Sequence, residues 1–331
     1  MDNPLRNIKN NLIKNNKINL FVKIVNAPLI GRIYDYIYFK KIKKNVKNSK
    51  IMLTVEPTNF CNLRCIMCPY KRMKRKKKIM SMNLFKKIIN EASDMGCKDI
   101  HLTQYNEPFM DKHIFERIKY AKEKGMRVWF YSNAMLLDEK IRKKTLENPP
   151  DLIRFSVDGI KKETFENIRR GANYEKVVEN ITSLYKERNK INKKSPRIEV
   201  FFTSLKENEG ESKEFLKFWE GKCDYASLYI ADSRESEKYV TINYEKLKPY
   251  PCFNPKRILV LSNGKVVLCC VDIDGEVKLG DLKKQSLKEI IKSKDFQRVF
   301  KSQIERKCNI KMCKKCSKFY LDSTFSWWAE K

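Results

Sequence analysis

Three cysteines, Cys61, Cys65 and Cys68, lie within one stretch of eight residues. They directly follow an apolar segment, residues 51–56, whose composition is typical of a buried strand. Three thiolates on one short loop can hold three corners of a cubane iron–sulfur cluster and leave the fourth iron without a protein ligand. Zinc is the alternative, but zinc knuckles close four Cys or His ligands locally, and the chain has only two histidines, neither of them nearby. The spacing therefore favours an iron–sulfur centre with an open iron.

A cluster loop after the first strand resembles the arrangement in radical S-adenosylmethionine (radical SAM) enzymes. In that family the open iron chelates the amino and carboxylate groups of S-adenosyl-L-methionine. Electron transfer then yields a 5′-deoxyadenosyl radical that abstracts hydrogen from a substrate. Met67 departs from the family, in which the position before the third cysteine is often aromatic. The resemblance implies a 4Fe–4S cluster held by Cys61, Cys65 and Cys68, and a reductase, flavodoxin or ferredoxin as electron donor.

The elements that must position this loop alternate between strands and helices. Six strands are predicted, over residues 51–56, 99–103, 127–131, 152–157, 197–203 and 225–230. Five helices are predicted between them, over residues 83–95, 114–124, 137–146, 174–190 and 211–219. This alternation requires a parallel sheet with right-handed crossovers. Six units suit the α/β fold of the radical SAM family, a partial (β/α)6 TIM-type barrel.

Polar residues follow the second, third and fourth predicted strands, where the loops of such a barrel carry the chemistry. Glu107 and Pro108 resemble the end of the family's Gly-Gly-Glu-Pro motif, which binds the amino group of S-adenosylmethionine, although Tyr105 and Asn106 replace both glycines. Arg169 would pair with the carboxylate bidentately. The resemblance implies the following cofactor-binding residues: Tyr105, Asn106, Glu107, Ser132, Asn133, Ser156, Asp158 and Arg169. Helix capping is the alternative role for Ser132, Asn133 and Asp158.

A second set of cysteines lies near the C-terminus, at Cys252, Cys269, Cys270, Cys308, Cys313 and Cys316. A hairpin is predicted over residues 258–268, with a type I′ turn at Asn263-Gly264. The set resembles the SPASM/twitch domain of one branch of the superfamily. The resemblance implies one auxiliary 4Fe–4S cluster held by Cys252, Cys269, Cys313 and Cys316. Cys270 could replace Cys269, since adjacent strand residues face opposite sides, and a zinc ribbon is the alternative.

The domain organisation that follows has three parts. A basic helical extension, residues 1–50, precedes the radical SAM core, residues 51–232, and the SPASM/twitch domain occupies residues 233–331. Amphipathic patches in the extension allow a peripheral membrane contact. Eleven cysteines without a secretory signal or an apolar run of membrane-spanning length predict a cytoplasmic protein.

The formal net charge is +31. An acidic partner would explain it, but the excess of Lys over Arg is spread over the chain and no nucleic-acid-binding signature accompanies it, so compositional drift is favoured. The densest basic run, residues 71–78, is predicted to be a solvated loop. Its place after the cysteines would also suit an anionic substrate.

The predicted function is hydrogen abstraction by a radical SAM oxidoreductase that oxidises a small-molecule or sugar alcohol or modifies a peptide. The auxiliary cluster would accept the electron, and Asp272 is the candidate base for the proton. The alternative is a non-catalytic iron–sulfur or zinc protein that binds nucleic acid, an interpretation supported only by the charge.

Overall fold

The computed structural model describes residues 52–231, 257–304, 309–314 and 316. Nine strands lie in these ranges: β1 (Met52–Val55), β2 (Asp99–His101), β3 (Arg127–Ser132), β4 (Leu152–Ser156), β5 (Arg197–Ser204), β6 (Tyr225–Ile230), β7 (Arg257–Val260), β8 (Lys265–Val267) and β9 (Lys278–Asp281). Hydrogen bonds join them into one sheet in the order β6-β5-β4-β3-β2-β1-β7-β8-β9. Strands β1 to β6 are all parallel, and each lies within two residues of its predicted bounds. The predicted α/β architecture is confirmed.

Helices connect the strands, as the alternation predicts. The described helices are α1 (Met82–Asp94), α2 (Ile114–Glu123), α3 (Glu139–Glu147), α4 (Lys162–Ile168), α5 (Tyr174–Lys190), α6 (Ser212–Trp219), α7 (Leu287–Lys292), α8 (Lys294–Ile304) and α9 (Lys311–Lys314). Helix α3 begins two residues later than predicted, because the Asp138 carboxylate caps it by accepting from the Ile141 amide at 2.9 Å. Helix α4 was not predicted, since only Phe165 and Ile168 are buried and so short an apolar pattern gives little periodicity.

Side chains of the parallel strands alternate between the two faces of the sheet. On the outer face, Leu53 and Ile100 are fully buried in the main hydrophobic core, against the helices. The inner face carries different chemistry, because Thr54, His101 and Trp129 lie in register with one another on β1, β2 and β3. The fold therefore separates an apolar outer face from a largely polar and aromatic inner face.

The C-terminal hairpin continues the same sheet. Strand β7 pairs in parallel with β1, from Met52 opposite Arg257 to Val55 opposite Val260, and β8 and β9 follow in antiparallel order. The two predicted domains are thus joined by main-chain hydrogen bonds along β1.

The predicted type I′ turn of this hairpin is wrong. Such a turn needs positive φ at both central residues, whereas Gly264 has a φ of 90° and Asn263 is not in the left-handed region. The Gly264 amide donates to the Leu261 oxygen at 2.8 Å. These facts fit a type I turn followed by a left-handed glycine, which is the common three-residue hairpin loop.

Two predictions concern other parts of the chain. The helical extension, residues 1–50, and the boundary at residues 232–233 lie outside the described residues. Of the helices in the described ranges, none combines the length and the apolar character needed to cross a bilayer.

Gly159 lies where β4 leads into α4, and a Cβ at this position would lie 2.8 Å from the Phe165 backbone nitrogen. We expect Gly159→Ala to displace α4, to lower the free energy of unfolding by about 1–3 kcal/mol, and to weaken binding of S-adenosylmethionine. Gly221→Ala is the control, since its φ of 71° strains the backbone but nothing lies within 4 Å of the new Cβ. Denaturant unfolding and ligand titration of both variants test this. Equal loss of binding in the control would contradict it.

Candidate active site at the carboxyl ends of the strands

The cysteine loop, residues 60–69, follows β1 and is tied by its backbone to two neighbouring segments. Its amides donate to the carbonyl oxygens of Ile168 and Arg170, at 2.9 and 3.0 Å, where α4 ends. Its first carbonyl accepts from the Glu107 amide at 2.8 Å, in the loop after β2. The loop therefore bridges the two segments that carry the main predicted cofactor-binding residues.

The three thiols of this loop sit in an apolar setting. Cys65 is buried, and Cys61 and Cys68 are partly buried beside it, with Met67 filling the same small hydrophobic cluster. Burial raises the pKa of Cys61 to about 12 and raises that of Cys65 as well. These thiols become thiolates readily only where a metal replaces the proton, which is the donor chemistry that an iron–sulfur cluster needs.

Glu107 is the centre of a buried hydrogen-bond network. Its carboxylate accepts from the Ser132 hydroxyl at 2.9 Å, from the Asn133 amide at 2.8 Å and from the Phe109 amide at 3.2 Å. The Asn133 side chain then donates to Asn62 in the cysteine loop at 2.8 Å. Burial raises the Glu107 pKa to about 7 in spite of these bonds. The N–H groups of a bound amino group would donate to this buried carboxylate and favour its charged form.

Arg169, just after α4, links the cysteine loop to the loop after β4. Its Nη2 lies 2.5 Å from the Asp158 carboxylate, and its Nη1 donates to the Cys65 sulfur at 3.8 Å. The second Asp158 oxygen accepts from the Thr203 amide at 2.7 Å. Asp158 is fully buried, so its predicted contact with the cofactor has no support in this geometry. Its place is to position Arg169, whose buried Nε has no partner among the described residues and can receive a carboxylate.

The other predicted cofactor-binding residues lie around this network. Asn106 accepts from the Gln104 amide at 2.6 Å, and its buried Nδ2 is without a partner in the described part of the chain. Tyr105 is half-buried in the same loop, and Ser156 ends β4 with 8% of its surface exposed. Their contacts with the cofactor remain predictions.

Two residues that help to build the site were missed in the sequence. Asn208, after β5, is buried and donates to the carbonyl oxygens of Asp158 at 2.9 Å and Thr203 at 2.8 Å. The Tyr70 hydroxyl accepts from the Cys61 amide at 2.8 Å. A single Asn or Tyr in a loop carries no spacing signal, so only the tertiary contacts identify them.

The C-terminal cysteines Cys269, Cys270 and Cys313 separate into two hydrophobic clusters. Cys269 packs in a hydrophobic cluster with Cys313, whereas Cys270 packs in a different one, with Leu259 and Val267. Of the two neighbouring cysteines, the structure therefore favours Cys269 as the partner of Cys313. The Cys316 amide donates to the Cys313 oxygen at 3.1 Å, which places the last pair on one turn.

The remaining predicted ligand, Cys252, cannot be placed in this way, because it lies outside the described residues, as does Cys308. Within those residues, no three His, Cys, Asp or Glu side chains converge on a point where one metal ion would bind. The cysteines of a cubane cluster ligate separate irons and need not converge in this manner.

The auxiliary loop, residues 269–277, lies against the barrel loops. The Gln104 side chain, in the loop after β2, donates to the Cys270 oxygen at 3.0 Å. Arg75 binds the Glu56 carboxylate with two bonds of 2.8 and 2.7 Å and donates to the Ile273 oxygen at 2.6 Å. The two predicted cofactor loops are therefore held side by side.

The prediction that the basic run is a solvated loop is wrong for one residue, Arg75. Residues 71–78 are largely exposed, as expected for a solvated loop, but the Arg75 side chain is only 9% exposed. The amides of Lys74 and Arg75 both donate to the Asp274 carboxylate, at 2.8 and 3.3 Å. The run is thus fixed to the auxiliary loop.

The geometry argues against Asp272 as the predicted base. Asp272 is fully buried, and its two oxygens accept from the amides of Glu276 at 2.7 Å and Val277 at 3.0 Å. A carboxylate in this position stabilises its own loop and has no route to a substrate. Asp272 is therefore a structural residue here.

Comparison with known proteins agrees with this site. The model of the radical SAM superfamily matches residues 55–218, and that of the SPASM iron–sulfur cluster-binding domain matches residues 252–317. The chain belongs to the radical SAM superfamily and carries a SPASM domain. This family implies a 4Fe–4S cluster, S-adenosylmethionine and an auxiliary cluster, and the buried thiols and unpartnered donors described above fit these groups. None of the matches supports the nucleic-acid alternative.

Individual relatives are more distant. The tungsten-containing aldehyde ferredoxin oxidoreductase cofactor-modifying protein of Pyrococcus furiosus is 28% identical over 171 residues, which cover 50% of this chain and 47% of that protein. The chain thus spans about half the length of this relative. BtrN in complex with AdoMet and 2-DOIA superposes with a TM-score of 0.55 at 18% identity, over 80% of this chain and 92% of BtrN. Streptococcus suis SuiB bound to precursor peptide SuiA superposes with a TM-score of 0.61 at 13% identity, over 85% of this chain and 73% of SuiB.

The assignment of the cluster ligands can be tested by iron content. We expect Cys269→Ala to remove the auxiliary cluster and about half of the iron, and Cys270→Ala, its matched control, to retain both. Joint replacement of Cys61, Cys65 and Cys68 by Ala should remove the other half and abolish S-adenosylmethionine cleavage. Iron analysis and electron paramagnetic resonance after anaerobic reconstitution provide the measurement. Zinc in place of iron, or loss of the auxiliary signal with Cys270→Ala alone, would contradict the assignment.

The raised pKa of Glu107 predicts a pH dependence of cofactor binding. Below about pH 7 the carboxyl group is protonated, and it must lose that proton to accept hydrogen bonds as a carboxylate from the amino group of S-adenosylmethionine. Affinity should therefore rise with pH, by up to roughly tenfold per unit, and level off near pH 7.

Glu107→Gln should remove the rise below pH 7, and Glu116→Gln, on the exposed surface of α2, should keep it. Equilibrium binding from pH 5.5 to 8.5 distinguishes them. A profile in Glu107→Gln that matches the unmodified protein would show that another group titrates.

Proposed function

We propose that this radical SAM enzyme abstracts hydrogen from a small-molecule or peptide substrate and oxidises it, with the auxiliary cluster as the electron acceptor. When bound, the cluster and S-adenosylmethionine supply a 5′-deoxyadenosyl radical, which takes the hydrogen atom. The chain's own residues hold the amino end of the cofactor at Glu107 and its carboxylate at Arg169.

The observation that carries the oxidative outcome is the hydrogen bond between Gln104 and Cys270. This bond joins the loop that carries Glu107 to the loop that carries the auxiliary cysteines. The proposed site of hydrogen abstraction therefore lies next to the proposed electron acceptor. An auxiliary cluster bound there would take the electron of the substrate radical, and the proton of that radical would pass to water. Two electrons and two hydrogens leave the substrate, one of the hydrogens as the atom taken by the adenosyl group.

The Arg75–Glu56 pair supports the same arrangement. Glu56 directly follows β1, four residues before the cysteine loop, and also accepts from the Ser262 amide at 2.9 Å in the C-terminal hairpin. Arg75 adds its bond to Ile273 in the auxiliary loop. A fixed separation between two redox centres is what a defined path for one electron requires.

The two classes of substrate reflect the solved structures that resemble this chain, one bound to 2-DOIA and one to a precursor peptide. These likenesses support the fold, and the choice of substrate is part of the proposal. An electron donor of the flavodoxin or ferredoxin type is also part of it. The exposed basic residues of the run 71–78, next to the cysteine loop, offer a positively charged surface to an acidic donor.

Deuterium transfer tests the proposal. Candidate substrates deuterated at the reacting carbon are incubated with the reduced holoenzyme, and deuterium in 5′-deoxyadenosine is measured together with the mass of the product. We expect deuterium transfer and a product that is two hydrogens lighter.

Replacement of Cys313 and Cys316 by Ala should keep deuterium transfer but lower the yield of oxidised product by at least about tenfold, which corresponds to ~1.4 kcal/mol of barrier. The Cys270→Ala variant is the control for a cysteine of the same region. An undiminished product yield without the auxiliary cluster would exclude it as the acceptor, and a product at the oxidation level of the substrate would exclude the dehydrogenase reaction.

A further inference from the structure

The inner face of the sheet contains a group of buried polar atoms that no described residue satisfies. Both ring nitrogens of His101, the Thr54 hydroxyl and the Nε of Arg257 are buried without a hydrogen-bond partner. These residues lie on the adjacent strands β2, β1 and β7. Thr54 is directly opposite His101, and Arg257 is opposite Met52. Three neighbouring strands therefore present unsatisfied donors and acceptors to one region of the inner face.

His101 is held rigidly in this region. Its ring stacks on the Trp129 indole with centroids 3.5 Å apart and an interplanar angle of 16°. The Arg154 guanidinium lies 4.8 Å from the Trp129 ring centroid. Only 4% of His101 is exposed. Burial, and then the charges of Arg257 and Arg154, hold the His101 pKa well below its usual value, so the ring is neutral.

A neutral imidazole offers one donor and one acceptor. A buried donor or acceptor without a partner is costly, and native proteins rarely leave such groups unpaired. An arrangement that fixes the ring by stacking and satisfies neither nitrogen is typical of a site that a ligand completes.

The charges of the inner face favour an anionic ligand. Arg154 is compensated, because its Nε donates to the Glu199 carboxylate at 2.8 Å. Arg257 differs from it, since its Nη2 contacts the Met52 sulfur at 3.3 Å and no carboxylate of the described residues pairs with it. Beside the neutral His101, the charge of Arg257 therefore remains for an incoming group.

We propose that this inner-face site binds an anionic group of the substrate, a carboxylate or a phosphate, through the guanidinium of Arg257 and hydrogen bonds from His101 and Thr54. This inference rests on the proposed function and adds the chemical class of the substrate to it. It also separates the anion site from the exposed basic run 71–78, whose one buried side chain, that of Arg75, is occupied by Glu56.

The position of the site sets a lower limit on the size of the substrate. Arg257 begins β7, and the cofactor loops follow the carboxyl ends of the strands. Arg257 and Val260 are three residues apart along β7, which at ~3.3 Å per residue corresponds to about 10 Å. An anionic group bound at Arg257 would therefore lie at least about one strand length, on the order of 10 Å, from the cofactor loops, and the substrate must be long enough to span this distance.

The chain has only two histidines, and this allows a direct test by nuclear magnetic resonance. The holoenzyme, labelled with ¹⁵N-histidine and saturated with S-adenosylmethionine, is titrated anaerobically with inorganic phosphate, acetate and neutral acetamide. His113 lies on the surface beside Glu116 and serves as the internal reference. Phosphate or acetate should shift the His101 ring signals saturably, whereas acetamide should not, and His113 should stay unchanged. Saturation by phosphate alone assigns a phosphorylated substrate, and saturation by acetate alone assigns a carboxylate.

Variants of Arg257 and Thr54 connect this signal to the proposed contacts. Arg257→Met should raise the apparent Kd for the anion by about tenfold or more, the effect of one lost charge-assisted hydrogen bond. Thr54→Val should weaken binding less and gives a second, isosteric variant if Arg257→Met does not fold. Arg127→Met, which removes an exposed arginine paired with Asp99 on the neighbouring strands, is the control and should not change the Kd.

The absence of a saturable His101 shift with either anion would overturn the inference, as would equal affinity in Arg257→Met and the unmodified protein. Reductive cleavage of S-adenosylmethionine is measured separately in each variant. If the unmodified protein does not cleave S-adenosylmethionine, the proposed function is contradicted. If it cleaves S-adenosylmethionine but does not bind the anion, only the assignment of the substrate class is contradicted.

Discussion

The buried ion pair between Arg169 and Asp158 is the interaction on which the candidate active site depends. It joins the end of α4 to the loop after β4, and Arg169 extends it to the sulfur of Cys65. Burial of an ion pair costs desolvation free energy and seldom adds much net stability. Its value here is geometric, because it fixes a cationic side chain beside thiols that must become anionic when they bind metal.

The remaining parts of the site are arranged around this pair by bonds that cross between loops. Glu107 accepts hydrogen bonds from Ser132 and Asn133, at the end of β3 and just after it. The Asn133 side chain in turn donates to Asn62 in the cysteine loop. Each of these loops follows a different parallel strand. Parallel strands place all their carboxyl ends at one edge of the sheet, so residues distant in sequence can form one network there.

The sheet also determines how the second cofactor region meets the first. Because β7 pairs with β1, the C-terminal hairpin enters the structure beside the strand that leads into the cysteine loop. Glu56 at the end of β1 then contacts both the hairpin and Arg75. The same pairing places Arg257 opposite Met52, on the face of the sheet that carries Thr54 and His101. The pairing of β1 with β7 thus holds the two cluster regions next to each other and brings Arg257 to the inner face of the sheet.

The sequence by itself determined the class of the protein and most of the fold. Hydrophobic periodicity located the six parallel strands, because burial on both faces or one face leaves a local pattern in the chain. The spacing of Cys61, Cys65 and Cys68 indicated the cluster, since three ligands on one loop are a local feature. Glu107 and Arg169 were predicted from their resemblance to motifs of the family and from their order along the chain after the second and fourth strands.

What only the tertiary structure decided depends on contacts between distant residues. It distinguished Cys269 from Cys270 by the clusters in which they pack, buried Asp272 in its own loop, and revealed Asn208 and Tyr70 as supports of the site. It also placed Arg257 beside His101, although 156 positions separate them in the sequence. No local pattern encodes such contacts, because strand pairing and side-chain packing bring the residues together only when the chain has folded.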